Sequence, residues 1–378
     1  MVVKKPRYFA FGLTDRCQSH CRTCSGWQTP KECKQNELST NDWKFVFNSL
    51  HNWLGNFDFI FSGGEPFLRE DIFELADYAA QIGLIPKVIT NGLALKNKCE
   101  KLINSGFSDI TISLNGVKNP EIHNFSRGLN NAFKITSDVI QNLAYLNRKR
   151  NANKTILLST VIMPSNMTEL VPLAEFAHTN QIGINYQLLD GGDSFFTAYD
   201  IRSEYNKMYS EMRNEIMAAI DKLVNLKEKG YLIYNTENQL NAFKESILNS
   251  PDETSRNECY EAKTEMRTFS EYTDFNDISD KINPSEIDCN IQTPFTEIYP
   301  EKAAKCSEAS CRTGDYNFLI DPYGNVRICF SFEPIGNLRT MLPENIWNSE
   351  EAEEMRKKIA VCNKSCKLLN CNYHEDEE

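Results

Sequence analysis

Tyr8-Phe9-Ala10-Phe11-Gly12-Leu13 runs without a break into Thr14-Asp15-Arg16-Cys17-Gln18-Ser19-His20-Cys21-Arg22-Thr23-Cys24. The first six residues are a short apolar run of the kind a buried strand uses. The three cysteines after it are spaced C-x3-C-x2-C. A loop leaving a strand can fold three such thiolates onto the corners of one cluster and leave one iron open. Thiolate softness suits iron–sulfur clusters and zinc alike. His20, inside the loop, would be the fourth ligand that a structural zinc site wants.

Beyond this loop the chain alternates two patterns. Tyr8–Leu13, Phe57–Phe61, Pro86–Thr90, Ile110–Leu114, Thr155–Ile162 and Ile182–Leu189 are short apolar runs, expected to be strands. Between them, Asn41–Leu54, Arg69–Ile82, Lys96–Ser105, Ala132–Asn147 and Glu169–Thr179 carry apolar residues three and four apart, as helices do. Six strand–helix units imply a parallel sheet, and the expected fold is α/β, a partial (β/α)6 TIM-type barrel over residues 1–198. Its chemistry is expected at the C-terminal ends of the strands.

From Tyr199 to Lys229 the period predicts one long helix with Gly230 after it, and Asn238–Leu248 a second. Residues 251–290 are polar and without period, so 199–300 is expected to be a helical and polar insertion or linker. Phe318–Ile320 and Val326–Phe330 flank Asp321-Pro322-Tyr323-Gly324-Asn325, a hairpin signature. With a helix over Ser349–Ile359 it makes 301–378 a small cysteine-rich β-hairpin and helix module.

The chain has 378 residues, a formal charge of −11, 41% apolar and 25% charged residues. That acidic balance disfavours nucleic acid or an anionic membrane as main partner, because both select basic surfaces. No run of 18 apolar residues occurs, so no transmembrane helix is expected, and the lysines near the N-terminus precede too short an apolar stretch for a signal peptide. A cytoplasmic protein is the expectation. The 13 cysteines are clustered at both ends, which in a chain of this kind reads as metal ligation rather than disulfide pairing.

Ser62-Gly63-Gly64-Glu65-Pro66 follows the second strand, Thr90-Asn91-Gly92 the third, and Ser113-Leu114-Asn115-Gly116 ends the fourth. Met singly, Glu65 reads as a solvated turn residue, Thr90-Asn91-Gly92 as a turn, and Arg127 as a surface ion-pair partner. In this order, at strand ends and after the cysteine triplet, they resemble the radical S-adenosylmethionine (SAM) superfamily. The resemblance implies that Cys17, Cys21 and Cys24 hold a [4Fe–4S] cluster whose open iron is chelated by the amine and carboxylate of S-adenosyl-L-methionine. It implies that Gly63, Gly64 and Glu65 lie around the methionine ammonium, that Asn91 belongs to the same cofactor-binding set, that Ser113 and Asn115 contact the ribose, and that Arg127 lies near the methionine carboxylate. Two residues depart from the family pattern. Thr23 stands where an aromatic residue usually precedes the third cysteine, and Trp27 would replace it or simply pack in the core. Asn115 stands in place of an acid and can hydrogen-bond a hydroxyl but not act as a base.

In the last quarter, Cys311 is followed by Gly324 and Cys329, and the tail carries Cys362, Cys366 and Cys371. This resembles the auxiliary-cluster modules called SPASM and twitch. The shorter, twitch-like form with one auxiliary [4Fe–4S] cluster is favoured, on Cys311, Cys329, Cys366 and Cys371, with Cys362 and Cys306 as alternates; a zinc ribbon is the other reading. Cys33, Cys99, Cys259 and Cys289 stand alone and read as buried small hydrophobes, although Cys33, Cys259 or Cys289 donating a hydrogen atom would make the enzyme an epimerase.

The resemblance implies a radical SAM oxidoreductase or maturase. One electron from ferredoxin or flavodoxin would cleave S-adenosylmethionine to methionine and a 5′-deoxyadenosyl radical, which takes hydrogen from a substrate C–H bond. Relatives modify ribosomally made peptides by crosslinking, oxidation or epimerisation, or dehydrogenate sugar-derived and other small molecules. Peptide modification is placed first, although the barrel begins almost at once, without the leader-binding domain of many peptide-modifying relatives. A non-catalytic iron–sulfur or zinc protein is the remaining alternative. No catalytic acid or base is named by any residue pattern.

Overall fold

The computed structural model describes residues 4–24, 26, 27, 34–189, 207, 208, 210–248, 311 and 313–362. Cys33, Cys259, Cys289, Cys306, Cys366 and Cys371 lie outside them, as does most of the expected insertion 199–300.

Nine strands form one sheet in the order β6-β5-β4-β3-β2-β1-β7-β8-β9. The first six are β1 (Tyr8–Thr14), β2 (Asp58–Gly63), β3 (Ile85–Thr90), β4 (Asp109–Ser113), β5 (Thr155–Ile162) and β6 (Gly183–Leu188), and each pairs in parallel with the next. The connections carry α1 (Thr40–Leu54), α2 (Ile72–Gln81), α3 (Cys99–Ile103), α4 (Pro120–Arg127), α5 (Ala132–Arg150) and α6 (Leu170–Thr179). This is the partial barrel that the alternation predicts.

The strands bury one set of alternate residues under the helices: Phe59 and Phe61 on β2, Ile110 and Ile112 on β4, Ile156, Leu158, Thr160 and Ile162 on β5. The opposite set is half-buried and includes Ser113 at the end of β4, which lies beside Ser159 of β5, itself beside Asn185 of β6. Helix α1 shows how the sequence fixes the wall. Ser39 and Asp42 form a reciprocal capping box at its start, Gly55 ends it at φ 81°, and Trp43, Val46, Phe47 and Leu50 face inward. Phe11 of β1 then meets Phe59 at 4.7 Å and Trp43 at 5.8 Å between ring centroids.

The open edge of β6 is covered by residues 231–235. Ile184 exchanges main-chain hydrogen bonds with Leu232 and Tyr234, and the Asn235 amide does the same with the Tyr186 main chain. Covering an exposed edge in this way removes a template for unwanted pairing.

The predicted long helix is interrupted within its described part. Ser210–Met212 form a turn, and the described helix α7 starts at Arg213 and runs to Glu228. The apolar spacing survives because Met208 and Ile216, on either side of that turn, both reach the core. Helix α8 (Glu237–Leu248) packs against α7.

At the other side of β1, β7 (Asn317–Ile320) joins in parallel, and β8 (Asn325–Arg327) and β9 (Gly336–Asn337) follow antiparallel. The C-terminal hairpin thus extends the barrel's own sheet. Asp321 builds its turn: Oδ1 accepts from the Tyr323 and Asn325 main-chain N–H, and Oδ2 from the Asn325 amide. The second strand ends at Arg327, earlier than the expected Phe330, because the chain bends at Ile328 toward Cys329. The short helix α9 (Thr313–Tyr316) precedes the hairpin, and α10 (Pro343–Trp347) and α11 (Glu350–Ala360) complete the module.

Candidate functional site

The cysteine loop leaves the C-terminal end of β1 and is held from two sides. On one side, the Gly64 N–H donates to Thr14 O at 2.6 Å and the Glu65 N–H to Arg16 O at 2.8 Å. A methyl group on Gly64 would stand 2.2 Å from Arg16 O, and one on Gly63, itself at φ 113°, would stand 2.5 Å from Thr14 O. The glycine pair is therefore required by the base of the cysteine loop, where the sequence suggested close approach to a ligand.

On the other side stands α4, which strand and helix periodicity did not reveal. Its sequence signals are nonetheless present: Asn119 caps it by accepting from the Glu121 N–H, Pro120 occupies its first turn, and Gly128 ends it at φ 65°. The carbonyls of its last turn receive the loop, with His20 N–H donating to Arg127 O and Arg22 N–H to Ser126 O, both at 3.0 Å. A methyl group on Gly128 would lie 2.5 Å from His20 O. The loop and the helix end therefore fit only with glycine there.

Three cysteines and their donors meet in this clamp. Cys17 Sγ accepts from the Ser19 N–H at 3.4 Å and from the Asn91 amide at 3.7 Å. Cys21 Sγ accepts from Arg127 at 3.5 Å, and Cys24 Sγ from the Gly26 N–H at 3.3 Å. Burial pushes the Cys17 thiol up to about 11, and the charges of Cys21, Glu65 and Cys24 push the same way against the Ser19 N–H. These three sulfurs thus feel one another. Trp27 closes over the loop by donating to Cys21 O at 2.9 Å, and its ring meets the His20 ring edge-on at 5.1 Å.

Glu65 is fully buried. Its carboxylate accepts from Thr90 Oγ1 at 2.7 Å, the Asn91 N–H at 2.8 Å and the Phe67 N–H at 3.2 Å, which ties the end of β2 to the end of β3. Burial raises its pKa, while those donors and the Lys98 charge lower it. Asn115 is equally enclosed, its amide donating to Ser126 Oγ at 3.0 Å and accepting from the Val161 N–H at 3.3 Å. The described contacts hold both ends of that amide, so Asn115 fastens α4 to β5. Ser113 is half-buried at the end of β4, on the face shared with Ser159.

Two buried residues near α4 escaped the sequence reading. Glu169 accepts the N–H groups of Val117 and Lys118 at 2.7 Å each and of Asn119 at 3.1 Å, which shapes the loop that launches α4. His123 accepts the Asn115 N–H through Nδ1 at 3.1 Å, so its proton sits on Nε2, for which no hydrogen-bond partner is present among the described residues. Burial first, and the Arg127 charge second, hold its pKa well below the ordinary histidine range.

A second thiol group lies in the C-terminal module. Burial raises the Cys329 thiol, and the charges of Cys311 and Cys362 add to that rise, so these three cysteines form one electrostatic set. Cys329 Sγ accepts from the Ser331 N–H at 3.5 Å, and Cys311 Sγ lies 3.3 Å from Thr313 Oγ1. Cys362, expected only as an alternate, thus lies near enough to Cys329 for its charge to be felt there. Cys99 is a buried cysteine apart from both groups, bonded to Leu95 O.

The donor set fits an iron–sulfur cluster at the N-terminal loop. Three soft sulfurs are gathered with N–H donors aimed at them. Two buried polar atoms beside them, Gln18 Oε1 and Arg127 Nε, have no partner among the described residues. Among the described residues, no three His, Cys, Asp or Glu side chains converge as ligands of a single metal ion. No helix among the described residues is long and apolar enough to cross a membrane.

Residues 12–177 match the family model of the radical SAM superfamily, and residues 311–372 that of the SPASM iron–sulfur cluster-binding domain, where spacing favoured the shorter twitch-like form. The chain is 32% identical over 177 residues to an AdoMet-dependent heme synthase of Methanosarcina barkeri, which covers 47% of this chain and 48% of that protein. It is 36% identical over 107 residues to a PqqA peptide cyclase of Rhodopseudomonas palustris, covering 28% and 27%. The chain thus spans about half or less of these curated relatives. In fold it resembles Streptococcus suis SuiB bound to precursor peptide SuiA, with a TM-score of 0.62, 14% identity, and coverage of 99% of this chain and 76% of that one.

Proposed function

We propose, on the premise that this chain carries a radical SAM domain followed by a SPASM iron–sulfur domain, that it is a peptide-modifying radical enzyme acting on a ribosomally made substrate. Both domains imply [4Fe–4S] clusters. When bound, cluster and S-adenosylmethionine together supply reductive cleavage to methionine and a 5′-deoxyadenosyl radical, which takes hydrogen from a substrate C–H bond.

The protein's own part is to hold, orient and shield. Cys17, Cys21 and Cys24 are the ligands of the first cluster, and the observation that carries the reading is their convergence beside Asn91 and Arg127 at the end of β1. Gly63, Gly64 and Glu65 would form the rim for the methionine ammonium, with Arg127 as the cation for its carboxylate and Ser113 toward the ribose. The half-buried face around Ser113, Ser159 and Asn185 would hold the substrate, keeping the reacting carbon near the radical and water away. Cys311, Cys329 and Cys362 are ligands of an auxiliary cluster, with Cys366 and Cys371 as the remaining candidates. An auxiliary cluster held there would supply a one-electron acceptor for a net oxidation of substrate, or an electron path to a ferredoxin- or flavodoxin-type partner.

Peptide modification is supported by the relatives named as PqqA peptide cyclases. The match that covers 47% of this chain, to a heme synthase, favours a second reading, modification of a small molecule. Anaerobic reconstitution followed by reductant tests the shared chemistry. About eight irons or more and reductant-dependent 5′-deoxyadenosine are expected, and Cys17→Ala, Cys21→Ala, Cys24→Ala together should abolish the nucleoside. Iron-loaded protein that leaves S-adenosylmethionine intact would overturn the proposal. Incubation with short precursor peptides encoded beside the gene, read by mass change, separates peptide from small-molecule substrates.

A further inference from the structure

We infer that Asn91 sets the reduction potential of the cluster held by Cys17, Cys21 and Cys24, by donating an amide N–H to the Cys17 sulfur. The inference deepens the reading of that loop as a cluster site and rests on it.

The orientation of the Asn91 amide is decided by its neighbours. Its Oδ1 accepts from the Leu93 N–H at 2.9 Å and from the Gln18 amide at 3.3 Å. Its Nδ2 therefore faces Ser19 Oγ at 3.2 Å and Cys17 Sγ at 3.7 Å, and the flipped amide would set donor against donor. The main chain of Asn91 is equally fixed. Its N–H donates to buried Glu65 and its carbonyl accepts from Thr136 Oγ1 at 3.0 Å. With 8% of its surface exposed, the side chain has no free rotamer to swing into.

A fixed N–H aimed at a ligand sulfur stabilises the more negative, reduced cluster, and so raises its potential. Among the described residues, the other donor to Cys17 is the Ser19 main-chain N–H, which every substitution except proline leaves in place. Arg127 reaches Cys21 but also brings a full charge. Asn91 is neutral, so it shifts the potential by the same amount at every pH. It acts here as a tuning and positioning residue, through a cluster ligand and without touching substrate.

The test is a redox titration, monitored by electron paramagnetic resonance, of the reconstituted full chain without S-adenosylmethionine. The chain lacking Cys17, Cys21 and Cys24 supplies the auxiliary signal to subtract. Asn91→Ser keeps an oxygen for the Leu93 N–H and withdraws the donor from Cys17. Its N-terminal cluster should be harder to reduce by about tenfold in the one-electron equilibrium, about 59 mV. Asn91→Gln, which keeps an amide donor, should recover part of that shift. If Asn91→Ser does not fold, Asn91→Asp keeps the acceptor and must show a fall at least as large. A cluster that is present and titrates as in the wild type in the Ser or Asp variant overturns this inference alone. A cysteine-free loop that leaves iron content and spectrum unchanged overturns the cluster reading beneath it.

Discussion

Tyr323 Oη donates to Asp15 Oδ2 at 3.0 Å, joining residues 308 positions apart. One sits in the hairpin turn of the C-terminal module, the other two residues before the first cysteine of the N-terminal loop. Tyr323→Phe removes this charge-assisted bond and should destabilise the full chain by about 1 to 2 kcal/mol in urea unfolding. A change below about 0.5 kcal/mol would mean that the bond contributes nothing net.

Gly64→Ala places a methyl group 2.2 Å from a main-chain oxygen, Arg16 O, which no side-chain rotation relieves. The expected result is a displaced cysteine loop: at least half of the iron bound by Cys17, Cys21 and Cys24 is lost, with the auxiliary iron retained. Iron analysis after anaerobic reconstitution checks it. Full iron in the variant would show that the loop can shift without harm.

Glu169→Gln tests the loop before α4. One amide oxygen cannot serve the three N–H groups that the carboxylate accepts, and the new NH2 must face a donor. A loss of about 2 kcal/mol follows from the unmade bonds. Amide exchange across Pro120–Arg127 should quicken, while β1 to β3 keep their protection.

The strands were legible in the sequence because each is short, apolar and flanked by helical spacing, and β5 runs from Thr155 to Ile162 as expected. The hairpin turn was legible because Asp321 and Gly324 carry its chemistry locally. Helix α4 was missed because it presents few apolar residues to a periodicity, burying His123, Asn124 and Ser126 instead. Glu169 and Asn235 were missed for a different reason. Their partners lie about fifty positions away along the chain, and no local pattern reports a distant N–H. The candidate cofactor residues were named through resemblance, which identified Glu65 and Asn115 but not that their side chains are engaged inside the protein.

His123 should give the protein a pH-dependent stability. Its folded pKa is depressed by burial and by Arg127, so the unfolded chain binds the proton more readily. The corresponding stability is present above the unfolded value, about 6.5, and is lost as pH falls toward the folded one. His123→Asn keeps an acceptor for the Asn115 N–H and removes the titration. Melting profiles from pH 7.5 to 5.5 should therefore fall less steeply in the variant than in the wild type; parallel profiles would refute the assignment.

Strand β1 lies between β2 and β7, with Phe11 beside both Phe61 and Ile320. During synthesis, β2 emerges soon after it, but β7 follows roughly 300 residues later, on the order of 15 to 60 s at ribosomal speed. For that interval one flank of the most aromatic strand in the sheet stays bare. Expression from slowly translated messages, or of fragments ending before residue 317, should therefore favour clumping of nascent chains, and chaperone demand should drop sharply once the last hairpin is released.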